Sequence, residues 1–323
     1  MNRRSLLALA PCLATGHVGA GAQDFPARPM HLVVPGGAGS FPDQVARLLG
    51  DRLAVPWRQP VIVENRPGAG GIAAMTELLR AAPDGHTLGL ATMSQLVFNP
   101  SLFRHLPYNP LRDLAPIGTL LSGALVIVTH PSLPVRSLHE LIALARRDRG
   151  RLDFAIPANG SPPHVVLALL MEATRSSFNI VPFRTGAEAA VQVVRGEVPL
   201  FIDAPPVVMP LVQAGRLRAL AVTGPRRLAL LPTVPTVEEE GYAGFRGETW
   251  MGLVARREVP SEVVAHIARD LAQVLGTDVA LRNYLEAAGA QPMIETPQGF
   301  AELLRAEQAR WSALIKISGM TLD

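Results

Sequence analysis

The chain is 323 residues long, carries a formal net charge of +3 and holds one cysteine, Cys12. That length admits two domains with a sizeable core, while the near-neutral charge excludes a basic nucleic-acid footprint and the lone cysteine excludes an internal disulfide.

The first 22 residues have a basic start at Arg3 and Arg4, an apolar run from Leu6 to Thr15 and a small-residue end at Ala20-Gly21-Ala22. This is the layout of a cleaved export signal. A cleaved signal is expected over a membrane anchor, because the run is about half of the ~20 residues a bilayer span needs and contains Pro11. Cleavage after Ala22 removes Cys12 and two of the positive charges, so the exported chain depends on burial for stability. Export by the Sec route is expected. A twin-arginine route stays open because Arg3 and Arg4 are adjacent, and a lipoprotein box at Leu9 to Cys12 would leave only a very short apolar run.

Short aliphatic runs then alternate with helix-like stretches, the mark of an α/β fold built from parallel β-α units. His31 to Val34 reads as a first strand, followed by a glycine-rich loop and a helix with Val45, Leu48, Leu49 and Leu53 on one face. Val61 to Val63 and Thr87 to Leu90 read as the next strands. A second series runs through Val126 to Val128, Phe154 to Ile156, Ile180 and Val181, Leu200 to Ile202 and Leu217 to Val222, with a helix from Ser137 to Arg147 opened by a capping box at Ser137 and Glu140. A late strand, Thr249 to Val254, precedes a helical tail with Val263, Val264, Ile267, Leu271 and Val274 at helical spacing. The expected organisation is two lobes, residues 23–123 plus 247–323 and residues 124–246, each a mostly parallel sheet flanked by helices, with a ligand cleft between them.

Order and spacing of several motifs make the chain similar to the Bug family, the substrate-binding proteins of tripartite tricarboxylate transporters. They are VIVENRPGAGG from Val61 to Gly71, APDGHT from Ala82 to Thr87, NPSL from Asn99 to Leu102 with Leu106-Pro107-Tyr108, AGRLRALAVT from Ala214 to Thr223, and LPTVPT from Leu231 to Thr236. The resemblance covers about Phe25 to Asp323. It implies a two-lobed, type II periplasmic-binding-protein fold that closes on a small carboxylate or related polar metabolite. It also implies delivery to a membrane transporter, with a ligand-loaded co-receptor for a membrane sensor as the alternative. A monomer without cofactor or metal is expected.

The cleft candidates follow from the loops after strands, where open α/β sheets bind ligands. In the first loop Gly39, Ser40, Phe41 and Asp43 stand before a helix whose N-terminus suits an anion. Gly39 and Asp43 match the family pattern, but Pro42 removes a donor, and Asp43 also reads as the acidic partner of Ser40 in a capping box. Thr92, Ser94 and Gln95 follow the third strand, where they offer hydroxyl and amide groups or form a solvated loop. Asn159, Gly160, Ser161 and His164 match a family stretch in which Pro162 and Pro163 replace hydroxyl residues. Arg184, with Thr185 and Gly186, takes the place of a family lysine, and Asp203 matches a family aspartate. Arg184→Ala is accordingly expected to weaken anion binding more than Asp43→Ala. Glu64, Asn65 and Arg66 read as a network that locks a loop.

Enzymatic readings fare poorly. Gly37-Ala38-Gly39 is followed by Ser40-Phe41-Pro42, so the third glycine of a dinucleotide-binding motif is missing. G-x-S-x-G, H-E-x-x-H and phosphate-loop motifs are absent from the sequence, and the histidines are scattered. A hydrolase built on Ser161, His164 and Asp203 would place its nucleophile and base three residues apart at a helix start, a poor setting for activation.

Overall fold

A computed structural model describes residues 25–148, 150–318 and 320–322; the expected signal, residues 1–22, lies outside the described residues. Strands β1 (Met30–Val34), β2 (Val61–Asn65), β3 (Thr87–Thr92) and β4 (Leu114–Gly123) come first. They are followed by β5 (Val126–Thr129), β6 (Asp153–Ile156), β7 (Asn179–Pro182), β8 (Leu200–Asp203) and β9 (Arg218–Val222). The chain then forms β10 (Thr249–Arg256) and β11 (Ala290–Pro292). They make a six-stranded sheet ordered β11-β4-β10-β3-β1-β2 and a five-stranded sheet ordered β7-β6-β8-β5-β9, so the class is α/β with two sheets.

The sheets are mixed, a correction to the mostly parallel pairing expected from the alternation. β1 pairs in parallel with β2 and β3, and β6 with β7 and β8. β10 is antiparallel to β3 and β4, and β5 is antiparallel to β8 and β9. The physical reason lies in the connections: β5 and β10 each enter their sheet from a strand of the other sheet, β5 from β4 through Ala124 and Leu125 and β10 from β9, so no crossover helix within one sheet imposes parallel pairing on them.

β4 itself was not expected. Pro116, Gly118 and Gly123 interrupt its apolar run and lower its strand propensity. Pairing on both sides overrides that preference, with β10 on one flank and β11 on the other, and register shifts near Gly252 and Val254 absorb the irregular residues. Gly252 must lack a Cβ, because one built there would come within 2.5 Å of the Phe300 ring.

Two passages join the sheets, one at 123–126 and one between β9 and β10. Thr223, fully buried, ties them together. Its hydroxyl accepts from Leu125 N at 2.8 Å and donates to Gly247 O at 3.0 Å, while its backbone bonds Leu125 O and Gly247 N.

One hydrophobic core spans both sheets, joining Phe98, Trp250, Phe300 and Trp311 to Phe154, Leu167, Leu200 and Ile202. The C-terminal helix Pro297–Ser318 carries Phe300 and Trp311, and Trp311 meets Phe98 edge-to-face at 5.1 Å. A second core packs helices Phe41–Trp57 and Ser261–Thr277 on the six-stranded sheet, and a third fills the outer side of the five-stranded one. No helix of the described residues is long and apolar enough to cross a membrane.

Candidate functional site

The glycine-rich loop after β1 is held by its own residues. Ser40 caps the helix Phe41–Trp57, and Gly39, at φ 78°, turns its N–H to Asp43 Oδ2 at 2.8 Å. Asn65 Nδ2 donates to Asp43 Oδ1 at 2.9 Å and Arg47 pairs with the same carboxylate at 3.0 Å. Burial works to raise the Asp43 pKa, yet hydrogen bonds from Arg47, Gly39 and Asn65 outweigh it and hold the carboxyl below its ordinary value. Glu64 and Arg66 pair at 3.0 Å, and Asn65 also donates to Gly36 O, so the loop after β2 and the loop after β1 brace each other.

The segment after β3 is a buried π-helical turn, Ser94–Phe98, rather than a solvated loop. Gln95 Oε1 accepts from Thr92 N and Thr92 Oγ1, and its amide nitrogen reaches Gly70 O at 2.8 Å. Ser94 donates to Gly160 O at 2.9 Å.

The stretch after β6 is similarly self-satisfied. Ser161 caps the helix Pro162–Thr174 and gives its proton to Ala158 O at 2.7 Å. His164 Nδ1 accepts from Gly160 N at 3.0 Å, and burial pushes that imidazole down to about 4. No hydrogen bond joins the Ser161 hydroxyl to the His164 ring among the described residues, so the arrangement an activated serine would need is not formed. Asn159 is exposed.

Arg184 and Thr185 are exposed too, Thr185 capping the helix Gly186–Val194. Gly186 touches Asp203: a Cβ added there would lie 1.9 Å from Asp203 Oδ2. Asp203, at the end of β8, accepts from Ala204 N at 2.7 Å, and burial raises its carboxyl to about 7.

Of the residues singled out in the sequence, Phe41, Thr92 and Asp203 line a common cavity of about 120 Å³ between the sheets. It is completed by Leu121 and Gly123 at the end of β4, Ala124 and Leu125 in the passage to β5, Thr249 to Met251 in β10, and Ala288 to Ala290 before and in β11. Pro42, Pro162, Pro163 and Pro205 close it at three helix starts. Gly39, Ser40, Asp43, Ser94, Gln95, Asn159, Gly160, Ser161, His164, Arg184, Thr185 and Gly186 stand outside this lining. The members that sequence reasoning missed are apolar or backbone-like, apart from Thr249 and Trp250. Trp250 was visible at the start of the late strand, and its Nε1 is buried without a hydrogen-bond partner.

The family model described as "tripartite tricarboxylate transporter family receptor" matches residues 45–320. The chain belongs to that family. The receptor is 33% identical to Protein BugT of Bordetella pertussis, with the whole of both chains covered. Among solved structures it is similar to Rpa4515 of R. palustris with adipate, at a TM-score of 0.87, 32% identity, and 92% and 99% coverage of the two chains. It is also similar to MatC of Rhodopseudomonas palustris with bound malate, at a TM-score of 0.83, 30% identity, and 90% and 100% coverage. The periplasmic-binding-protein architecture and a solute-binding receptor follow from these likenesses together with the two sheets and the cavity between them.

Proposed function

We propose that the receptor reversibly captures a small carboxylate in the cavity between the two sheets and delivers it to the membrane subunits of a tripartite transporter. The observation that carries this reading is the cavity itself, walled by strand ends and helix starts of both sheets, in a chain similar to proteins seen with adipate and with malate. The lobes are residues 23–123 plus 247–323 and residues 124–246, closing about the two passages. Capture involves no covalent step, and the protein acts as a monomer without cofactor. Export by the segment 1–22 places it in the periplasm, in keeping with the family member BugD, a periplasmic binding protein.

Thermal-shift measurement on purified residues 23–323 with mono-, di- and tricarboxylates tests the proposal. A rise in melting temperature with at least one carboxylate supports it. A melting temperature unmoved by every acid in the panel refutes it.

A further inference from the structure

The wall of the cavity uses up most of its own polar groups. Leu121, Gly123 and Met251 are each paired on both flanks, so the sheet takes their backbone groups. Off the strands, Leu125 N donates to Thr223 Oγ1, Ala204 N to Asp203 Oδ1 and Gly289 N to Glu286 O. Pro42, Pro162, Pro163 and Pro205 bring no N–H to the helix starts where they stand.

The polar side chains of the lining are few and mostly engaged. The Thr92 hydroxyl donates to Gln95 Oε1 and accepts from Ser94 N, and the Thr249 hydroxyl donates to Gly123 O. Trp250 Nε1 is buried, out of reach of anything in the cavity. Among the described residues, Asp203 and the remaining lone pairs of Thr249 are the side-chain acceptors left for a ligand. Much of the rest is hydrocarbon, with Phe41, Leu121, Leu125 and Met251 among its members.

Resting on the reading of this cavity as the carboxylate site, we infer that the receptor selects acids with a plain hydrocarbon body over acids hydroxylated along the chain, whatever their number of carboxylates. A ligand hydroxyl taken from water to this wall loses its hydrogen bonds and regains them only beside Asp203 or Thr249. A methylene in the same place loses none and buries apolar surface. Acids with several hydroxyls, such as the sugar acids, carry more of them than two side chains can serve. The carboxylate ends are common to both classes, so the discrimination arises from the body alone.

Calorimetric titration of residues 23–323 with pairs of acids matched in length and charge tests this: hexanoate against gluconate, succinate against tartrate, and adipate against glucarate. The plain acid of any pair that binds is expected to be at least about tenfold tighter than its hydroxylated match, rising to about a hundredfold for the longer pairs. Pro42→Ser combined with Pro162→Ser returns an N–H and a hydroxyl at two points of the wall. That variant is expected to narrow the ratio within a pair at least about threefold, with its melting temperature reporting that it folds. Hydroxylated acids binding as tightly as their plain matches overturn this inference and leave the carboxylate-receptor reading standing. A ratio unmoved in a variant that melts like the native protein overturns it as well. Binding of none of the six acids overturns the receptor reading itself, and the inference with it.

Discussion

The Ser94 hydroxyl, just beyond β3 of the six-stranded sheet, donates to the Gly160 carbonyl, just beyond β6 of the five-stranded sheet, at 2.9 Å. Both residues are buried, so this bond fastens the two halves beside the cavity. Ser94→Ala leaves the carbonyl without that donor and shifts the balance toward separated halves by about 1 to 2 kcal/mol. The expected outcome is a ligand affinity weaker by about five- to thirtyfold, the equivalent of that energy, and a larger radius of gyration in small-angle scattering of the ligand-free protein. An unchanged scattering curve with unchanged affinity contradicts it.

His164 and Asp203 give stability opposite slopes against pH. The unfolded chain protonates His164 near 6.5 and the folded chain only near 4, so stability is lost as pH falls between those values. Asp203 keeps its proton up to about 7 when folded but releases it near 3.8 when unfolded, so stability is lost as pH rises across that window. The two effects offset each other in the native protein. Asp203→Asn is expected to raise stability at pH 8 by about 2 to 4 kcal/mol and to leave a curve that climbs from pH 4 to 6.5. His164→Asn, which retains an acceptor for Gly160 N–H, is expected to leave a curve that declines from pH 4 to 7. Urea denaturation at a series of pH values checks both slopes.

Asp43 and Arg184 exchange the importance that their sequence contexts suggested. Asp43 receives Gly39, Asn65 and Arg47, whereas the exposed Arg184 guanidinium makes no ion pair among the described residues. Asp43→Ala is expected to destabilise the fold by about 2 kcal/mol and to weaken binding through disorder of the first loop. Arg184→Ala is expected to stay within about 0.5 kcal/mol in stability and within about twofold in affinity. Urea midpoints and ligand titrations of the two variants read this directly; a larger affinity loss in Arg184→Ala would contradict the geometry.

Gly186 is a spacing residue for Asp203. A methyl group there would overlap Asp203 Oδ2 and lie 3.4 Å from Val207. Gly186→Ala must displace the carboxyl from its place in the wall, with an expected loss of about 1 to 3 kcal/mol in stability and about tenfold or more in affinity. A variant that melts and binds like the native protein shows that the carboxyl has room to move.

The parts legible in the sequence are those with a local signature. β1, β3 and the cap at Ser40 follow from alternation, turn residues and a hydroxyl before a helix. The α/β class and the motifs shared with the family follow in the same way. β4 was illegible because its pairing with β10 and β11 outweighs the proline and glycines that speak against a strand. The cavity wall was only partly legible for a different reason. Thr92 and Asp203 are polar residues at the ends of strands and attract notice, whereas Leu121, Ala124, Met251 and Ala290 have the look of ordinary core residues until the tertiary fold leaves a space between them. Ser94 and Gln95 invited a ligand role because hydroxyl and amide groups bind metabolites, but they bind backbone carbonyls instead.

Thr223 gives the two passages between the sheets a shared anchor, through Leu125 on one side and Gly247 on the other. Together with the Ser94–Gly160 bond, this holds the two halves in register beside the cavity. Leu125 belongs both to that anchor and to the cavity wall. A ligand packed against Leu125 therefore touches a residue whose N–H and carbonyl are both bonded to Thr223.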